Sequence, residues 1–323
     1  MTATTEPYLG RNPEQVNISN SEITDFKHCR RNWYLKYYLG RAPKETSAVG
    51  PLPLGIRIHE AMEAHYSRDE DLMEAYLRLF EEDKARFEES GEAFFADKEK
   101  KFHSEGELGR IMIEGYIEWM NETSGLAEYE IVDVENALQY EMLDGRVNLV
   151  GKVDIELTDK SDGSIYIGDF KTAVSFGLYN DTAHMSEQLL LYTMLRRLTL
   201  DKHTDGGVYI ILKKVKRTAS AKPPFYEKMV VRFNDTHIAS FWERMVGTLE
   251  GMISTRDQLD AGVSHLKVAY PTVTGECGWR CAFSSMCYMM DDGSDWQGWL
   301  DTYTDVHNPY ERYGDQLDKT ENV

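Results

Sequence analysis

Residues 151–174, GKVDIELTDKSDGSIYIGDFKTAV, decide the fold of this chain. They include the end of one apolar, β-branched segment (146–158), the turn sequence Ser161-Asp162-Gly163, and a second such segment (164–171). Consecutive segments of this kind, separated by a short turn, form antiparallel strands. The stretch therefore predicts a β-hairpin.

Two carboxylates and one ammonium are expected to meet on this hairpin. Asp154 lies on the first strand and Asp169 near the end of the second, so antiparallel pairing would bring them close together. Asp169 and Lys171 are two residues apart and would point to the same face of a strand. Such a cluster is costly to bury without a cation, and Mg²⁺ prefers oxygen ligands and binds phosphate oxygens. The lysine could then steer or help deprotonate the attacking water and stabilise charge in the transition state.

An ordinary hairpin with exposed charges is the alternative, because a lone Asp-x-Lys is common by chance. The context favours the catalytic interpretation, since a Gly-x-x-Asp sequence lies one strand earlier and a helical pattern follows.

The segments around the hairpin predict an α/β fold. Apolar spacing of the helical type dominates the N-terminal region, which begins with a Ser19–Glu22 capping box, whereas the charged residues 68–104 suggest a solvated helix. Further strands are predicted at 130–143, 208–212 and 226–233, and further helices at 184–200 and 235–260.

The charge balance limits the classes of partner. The formal net charge is −19, which argues against broad coating of nucleic acid but not against a narrow basic channel. Residues 291–323 carry nine acidic and two basic residues, so we expect an acidic tail that is solvated or binds a partner. The first residues do not resemble a signal peptide, and no apolar run approaches the roughly 18 residues of a membrane span. We therefore expect a cytoplasmic protein without membrane contact, with cysteines that are reduced or metal-bound.

Taken together, the motifs resemble those of the PD-(D/E)xK nuclease superfamily, and in particular its RecB-like exonuclease branch. Asp154 matches the first acidic motif, and Asp169-Phe170-Lys171-Thr172 matches the second. Gln188 and Tyr192 resemble the Gln-x-x-x-Tyr element of this branch, and Gly55 and His59 its Gly-x-x-x-His motif. Taken alone, His59 would be interpreted as structural and Tyr192 as a core residue. The resemblance covers residues 18–290.

The resemblance implies a restriction-endonuclease-like core, with a mixed central sheet flanked by helices, an α-helical N-terminal region and a C-terminal Cys-bearing extension. It implies that Mg²⁺ or Mn²⁺ is held by His59, Asp154, Asp169 and the Phe170 carbonyl. Lys171 would assist the water, and Gln188 and Tyr192 would position the DNA strand. The expected divisions are a disordered N-terminus (1–17), the helical region (18–128), the nuclease core (129–262), a cluster segment (263–290) and the acidic tail (291–323).

All four cysteines are accounted for by one pattern, Cys29 followed by Cys277, Cys281 and Cys287. This layout resembles the iron–sulfur exonucleases of the same branch, such as AddB-type helicase–nucleases and CRISPR-adaptation exonucleases, and implies a structural [4Fe–4S] cluster. The Cys-x3-Cys spacing departs from the two-residue spacing that is commoner in those families. A tetrahedral Zn²⁺ site is the chief alternative, and four unrelated thiols are the other.

Two basic clusters are candidates for contact with nucleic acid. They comprise Lys213, Lys214, Lys216 and Arg217 after one predicted strand, and Arg30 and Arg31 beside Cys29. Aromatic residues interleave with the second cluster, which suits single strands because phosphates meet the charges and bases stack on the rings. The alternative is a solvated helix face over core aromatics.

The family resemblance implies a metal-dependent exonuclease that acts on DNA ends, with single-stranded DNA as the favoured substrate, in a bacterial or phage-infected cell. Recombination, repair and CRISPR-type processing all fit, as does a homo-oligomer. A second hypothesis is a non-cleaving DNA-end binding module that acts with a helicase, recombinase or integrase partner, since the chain has no Walker-type motif of its own. A zinc-stabilised interaction protein is the third.

Overall fold

The computed structural model describes residues 14–44, 49–123, 125–311 and 313. The chain divides into two compact units. The first comprises Met1–Thr46, Gln139–Gly151 and Ala239–Val323, and the second comprises Ser47–Leu138 and Lys152–Ile238. Along the described parts of the chain no helix is long and apolar enough to cross a membrane.

The strands are β1 (Val16–Ser19), β2 (Arg41–Pro43), β3 (Tyr129–Met142), β4 (Val147–Asp159), β5 (Ile165–Ala173), β6 (Gly206–Lys213), β7 (Tyr226–Arg232) and β8 (Thr304–Val306). The α-helices are α1 (Asn20–His28), α2 (Arg30–Trp33), α3 (Pro51–Arg68), α4 (Leu72–Glu89), α5 (Ala96–Glu122), α6 (Gly177–Thr182), α7 (Glu187–Leu200), α8 (Asp235–Asp260), α9 (His265–Val268), α10 (Cys277–Arg280), α11 (Ser284–Cys287), α12 (Met289–Asp292) and α13 (Trp296–Tyr303). A π-helical turn (Tyr34–Tyr38) and two 3-10 turns (Glu92–Phe94 and Ala183–Met185) complete the helical segments described.

The central sheet is mixed, with the strand order β1-β4-β5-β6-β7 and with β3 paired to β4. β4–β5 and β6–β7 are antiparallel, whereas β5–β6 and β1–β4 are parallel. Helix α7 packs on β5 and β6, α3 on β5, and α5 on β6. This arrangement confirms the predicted α/β fold with a mixed sheet flanked by helices.

The second unit has its core between the sheet and the three long helices α3, α4 and α5. β6 is buried along Gly206–Leu212, as a continuous apolar central strand requires. Helix α4, which lies in the charged segment predicted to be solvated, buries an apolar stripe that includes Leu72, Tyr76 and Leu79. Its many charged residues lie on the other side of the helix. Composition alone therefore suggested a solvated helix and did not indicate this buried stripe.

The first unit is organised around the buried carboxylate of Glu22 on α1. Trp33 Nε1 donates a hydrogen bond of 2.8 Å to Oε1, and Arg256 Nη2 on α8 lies 2.6 Å from the same oxygen. The hydroxyl of Tyr310 donates to Oε2. A buried carboxylate is stable when its oxygens are satisfied in this way. The network joins the N-terminal helix, α8 and the C-terminal segment.

The described residues near the two ends of the chain form regular structure that their composition did not predict. Residues 14–17 of the predicted disordered segment are described, and Val16–Ser19 forms β1 in parallel pairing with Val147–Val150. The acidic segment after Asp291 forms α13 and β8, with β8 paired to β2. Trp296 and Leu300 are buried there while the acidic side chains remain at the surface, so the net charge hides an apolar pattern. Residues 1–13 and 314–323 lie outside the described residues.

Candidate active site

Strands β4 and β5 separate at the point where the two acidic motifs face each other. Their antiparallel pairing includes Ile155 opposite Gly168, and the same register continued by one residue places Asp154 opposite Asp169. There Asp154 Oδ2 accepts a hydrogen bond of 2.8 Å from the Phe170 backbone N–H. A Cβ atom on Gly168 would lie 2.3 Å from Ile155 Cγ2, so this glycine lets the strands approach just before the carboxylates.

The side chain of Gln188 holds Asp169 and Lys171 together. Lys171 Nζ lies 2.6 Å from Asp169 Oδ2 and donates a hydrogen bond of 3.0 Å to Gln188 Oε1. Gln188 Nε2 donates to Asp169 Oδ1 at 2.8 Å and lies 3.5 Å from the hydroxyl of Tyr192. This orientation of the amide matches its donors and acceptors, because an ammonium needs an acceptor and a carboxylate needs a donor. The helical spacing of Gln188 and Tyr192 thus places the tyrosine hydroxyl beside the amide that bonds Asp169.

His59 approaches from helix α3. Its Nδ1 lies 3.3 Å from Asp154 Oδ2. Gly55, one turn earlier on the same helix, lies so close to β5 that a Cβ atom there would be 3.3 Å from Thr172 Oγ1. The Gly-x-x-x-His spacing therefore combines a close helix–strand approach with an imidazole that points at the carboxylate.

The four ionisable groups have unequal protonation preferences. Burial opposes the charge of Asp154, but the bond to His59 and the nearby Lys171 outweigh it and lower the pKa of Asp154. The pKa of His59 is raised, because Asp154 outweighs the effect of burial. Burial raises the pKa of Asp169 to about 6, although the Lys171 ammonium opposes the shift. Burial works against a charged Lys171, but both carboxylates outweigh it and raise its pKa. Asp154 is thus the favoured anion, and Lys171 keeps its proton.

The chemistry of these donors fits a divalent cation. Asp169 Oδ2 is buried and has no well-aligned hydrogen bond, even though the lysine nitrogen is near. The two carboxylates are hard oxygen donors of the kind that Mg²⁺ and Mn²⁺ prefer, whereas the imidazole also suits softer divalent metals such as Zn²⁺. Within the described ranges no three His, Cys, Asp or Glu side chains converge as a ready metal site. His59 and Lys171 instead pair with the two carboxylates, and the role of the Phe170 carbonyl stays a prediction.

A second charged group lies beside Asp154 and was missed by the sequence interpretation. Lys152 is two residues from Asp154 on β4, and its Nζ lies 2.5 Å from Glu135 Oε2 and 3.9 Å from Glu63 Oε2. Burial raises the pKa of Glu135 to about 7 against the effect of Lys152, and the charge of Asp154 adds to the shift. The Gly-Lys-Val-Asp spacing could have revealed Lys152. No sequence pattern indicated Glu135, because the direction of its side chain depends on a left-handed φ of 54° that a regular strand would not have.

Four of the six cations predicted to contact nucleic acid lie in the second unit, where β6 ends. Lys216 Nζ donates a hydrogen bond of 2.9 Å to Ser104, and the Arg217 guanidinium lies 3.7 Å from the centre of the Phe225 ring. Burial lowers the pKa of Lys214. Lys213 Nζ lies 5.6 Å from the ring centre of Phe176.

The remaining two predicted contacts, Arg30 and Arg31, differ from each other. The Arg30 guanidinium lies 4.8 Å from the ring centre of Phe26, and its residue is half-buried. Arg31 is only 2% exposed, and it binds Asp291 through two hydrogen bonds of 2.7 and 2.8 Å. The Arg31 guanidinium is thus paired inside the first unit, and its contact with nucleic acid stays a prediction.

The four cysteines lie in the first unit and are free thiols. Backbone N–H groups of Thr272 and Thr274 donate to the sulfurs of Cys29 and Cys277, respectively, at 3.4 Å. Arg31 Nη1 lies 3.6 Å from Cys287 Sγ. Burial raises the pKa of Cys281, and the other three thiols raise it further. The other three sulfurs therefore lie within electrostatic reach of Cys281.

The chain belongs to the PD-(D/E)XK nuclease superfamily, whose family model matches residues 17–288. Nucleases of this superfamily act on DNA and generally use divalent metals such as Mg²⁺ or Mn²⁺. Among solved structures, a "Putative exonuclease" from Eubacterium rectale is 14% identical, with 78% of this chain and 84% of that chain covered and a TM-score of 0.45. The structure of SSO0001 is 13% identical, with 86% and 88% covered and a TM-score of 0.32. No curated protein matches.

Changing Glu135 to Gln tests the electrostatics of this site. The folded-state pKa of Glu135, about 7, lies above its ordinary value of 4.5. Its contribution to stability is therefore fully present below about pH 4.5 and is lost as the pH rises through about 7. Between these values the wild type should lose roughly 2–3 kcal/mol of unfolding free energy relative to Glu135→Gln, as measured by urea unfolding in EDTA.

The exposed Glu141 on the same strand provides the matched control. Glu141→Gln should follow the wild type across this pH range. An identical pH dependence in the wild type and Glu135→Gln would contradict the assignment.

Proposed function

We propose that this protein is a RecB-like exonuclease that hydrolyses phosphodiester bonds at the ends of single-stranded DNA with Mg²⁺ or Mn²⁺. The observation that carries the proposal is the placement of Asp154 opposite Asp169, with Lys171 and Gln188 bonded to the second carboxylate. Membership of the superfamily supports nuclease activity in general. A role in recombination, repair or CRISPR-type processing in the cytoplasm, with a helicase or integrase partner, follows from the branch resemblance alone.

In this mechanism His59, Asp154, Asp169 and the Phe170 carbonyl would hold the metal. The bound ion would supply Lewis acidity to the scissile phosphate and lower the pKa of an attacking water. Lys171 acts as a fixed cation, because its pKa is raised and both neighbouring carboxylates favour its proton. It thus stabilises negative charge on the phosphate and orients the water more readily than it removes a proton.

Gln188 and Tyr192 serve to position these groups. The amide of Gln188 fixes the Lys171 ammonium at 3.0 Å and Asp169 Oδ1 at 2.8 Å, so neither side chain needs to reorganise as charge develops. Tyr192 is buried against the same amide and restricts its orientation.

Substitution of the lysine tests the proposal most simply. On end-labelled linear single-stranded DNA with Mn²⁺, Lys171→Ala should lose about 10²–10³-fold in kcat, since it removes a charge aimed at the transition state. Gln188→Ala should lose about 10–100-fold, because it only orients that charge. Lys202→Ala, at an exposed position after α7, is the matched control and should cleave normally.

A closed circular single strand separates exonuclease from endonuclease action. The wild type should leave the circle intact while it degrades the linear form. Cleavage of the circle would refute action at ends, and a folded Lys171→Ala protein that cuts as fast as the wild type would refute the catalytic assignment. Metal-dependent DNA binding without any cleavage would favour the end-binding module.

We further propose that Cys29, Cys277, Cys281 and Cys287 hold a structural [4Fe–4S] cluster. The support is the electrostatic effect of three of the thiols on Cys281, together with the backbone N–H donors beside two sulfurs, a common feature around cluster sulfurs. The buried guanidinium beside Cys287 would offset the negative charge of the thiolates. A Zn²⁺ site is the alternative that shares the same ligands.

Metal analysis of anaerobically purified protein distinguishes these options. We expect iron and sulfide with a broad absorption near roughly 400 nm, and we expect loss of both in Cys281→Ser because one ligand is removed. Ser285→Ala, a nearby change that leaves every thiol in place, should retain the absorption. A colourless protein with stoichiometric zinc would replace the cluster by a zinc site, and the absence of both metals would refute either.

A further inference from the structure

Five large apolar side chains are exposed on the segments that flank the candidate active site in the second unit. Their exposed fractions are 73% for Leu52, 49% for Ile56, 75% for Val174, 67% for Leu178 and 58% for Met185. We refer to these five residues as the apolar rim. Exposed apolar side chains on the segments beside a functional site can provide a surface that binds a partner.

One side of the rim belongs to helix α3. Leu52 and Ile56 are four residues apart, and His59 follows Ile56 by three, so all three share one helix face. The same face includes Gly55, whose close approach to Thr172 brings it against the end of β5. Leu52 and Ile56 therefore lie one to two helical turns from the imidazole that contacts Asp154.

The other side of the rim follows β5, the strand that carries Asp169 and Lys171. Val174 comes directly after this strand, Leu178 lies on α6, and Met185 lies in the 3-10 turn before α7. Tyr179, next to Leu178, packs edge-on against Tyr209 with ring centres 5.3 Å apart. Tyr209 in turn lies 5.9 Å from Lys171 Nζ. The segment is thus connected to the catalytic lysine through two aromatic rings.

Cations adjoin this second side of the rim. Lys213 pairs with Ala173 across β5 and β6, and the Lys214 backbone N–H donates to the Ala173 carbonyl at 2.7 Å. The Lys213 ammonium lies 5.6 Å from the ring centre of Phe176, between Val174 and Leu178 in sequence. In a chain with a formal charge of −19, apolar side chains next to two lysines provide a local surface for an anionic ligand that also has exposed apolar groups.

We propose that the apolar rim contacts the unpaired bases of a single strand while Lys213 and Lys214 contact its phosphates. The inference rests on the proposed function and assigns the surface that would hold its single-stranded substrate. A single strand exposes the faces of its bases, which can pack on apolar and aromatic side chains, whereas a duplex buries these faces in its own stack. The rim would therefore favour unpaired DNA on energetic grounds, without any need to read the sequence.

A strand without bases provides the sharpest probe. Affinities for an ordinary single strand and for an abasic strand of equal length are measured by fluorescence anisotropy in EDTA. The double substitution Leu178→Ser with Met185→Ser should weaken binding of the ordinary strand about tenfold and leave binding of the abasic strand unchanged. Lys213→Gln should weaken binding of both strands equally and reduce the dependence on salt.

Phe94→Ser is the matched control, because Phe94 is 92% exposed but lies on the connection between α4 and α5, outside the rim. It should bind both strands like the wild type. Equal binding of the ordinary strand by the wild type and the rim variant would overturn the inference, as would an equal loss on the abasic strand.

Cleavage assays on the same preparations separate this inference from the proposed function. If the wild type degrades linear DNA efficiently and the rim substitutions do not change DNA binding, the proposed nuclease activity stands and only the role of the apolar rim is refuted. Base-dependent binding through the rim without metal-dependent cleavage would support the rim and refute the nuclease.

Discussion

Asp154 and Asp169 face each other where the pairing of β4 and β5 stops. The other groups of the site offset the electrostatic repulsion between these two carboxylates. One carboxylate is stabilised as an anion by His59 and a backbone N–H, while the second is buried with a raised pKa beside Lys171. Three neighbouring elements each contribute one side chain that offsets this repulsion. Helix α3 brings the imidazole, β5 brings the lysine, and α7 brings the amide that joins lysine to carboxylate.

Much of this site was predictable because short-range periodicities determine it. The two-residue repeat of a strand places Asp169 and Lys171 on one face, and the helical repeat places Gln188 and Tyr192 together. A hairpin with a short turn leaves little freedom in register, so the opposition of Asp154 and Asp169 followed from the turn sequence. The strand and helix patterns predicted the α/β class, whereas the mixed sheet was implied by the family resemblance, and the pairing of β1 with β4 depends on distant residues.

Features that depend on burial or on distant partners were not predictable. Arg31 reads as a basic surface residue until Asp291, 260 positions later, is placed against it. Glu135 reads as an ordinary strand residue, yet its backbone turns it towards Lys152. The acidic C-terminal segment was also not predictable from composition. Its many acidic residues lie at the surface, whereas its packing depends on the two buried residues Trp296 and Leu300. Exposure of the apolar rim likewise emerges only when the chain is folded.

The most direct test of the central claim is Mn²⁺ binding, followed by electron paramagnetic resonance and calorimetry. If the opposed carboxylates form a cation site, the wild type should bind Mn²⁺, and Asp154→Asn should bind it at least about tenfold more weakly, because oxygen donors dominate affinity for this ion. Asp133→Asn, at an exposed position on β3, should bind like the wild type. The absence of Mn²⁺ binding by the wild type, or equal binding by Asp154→Asn, would contradict the account.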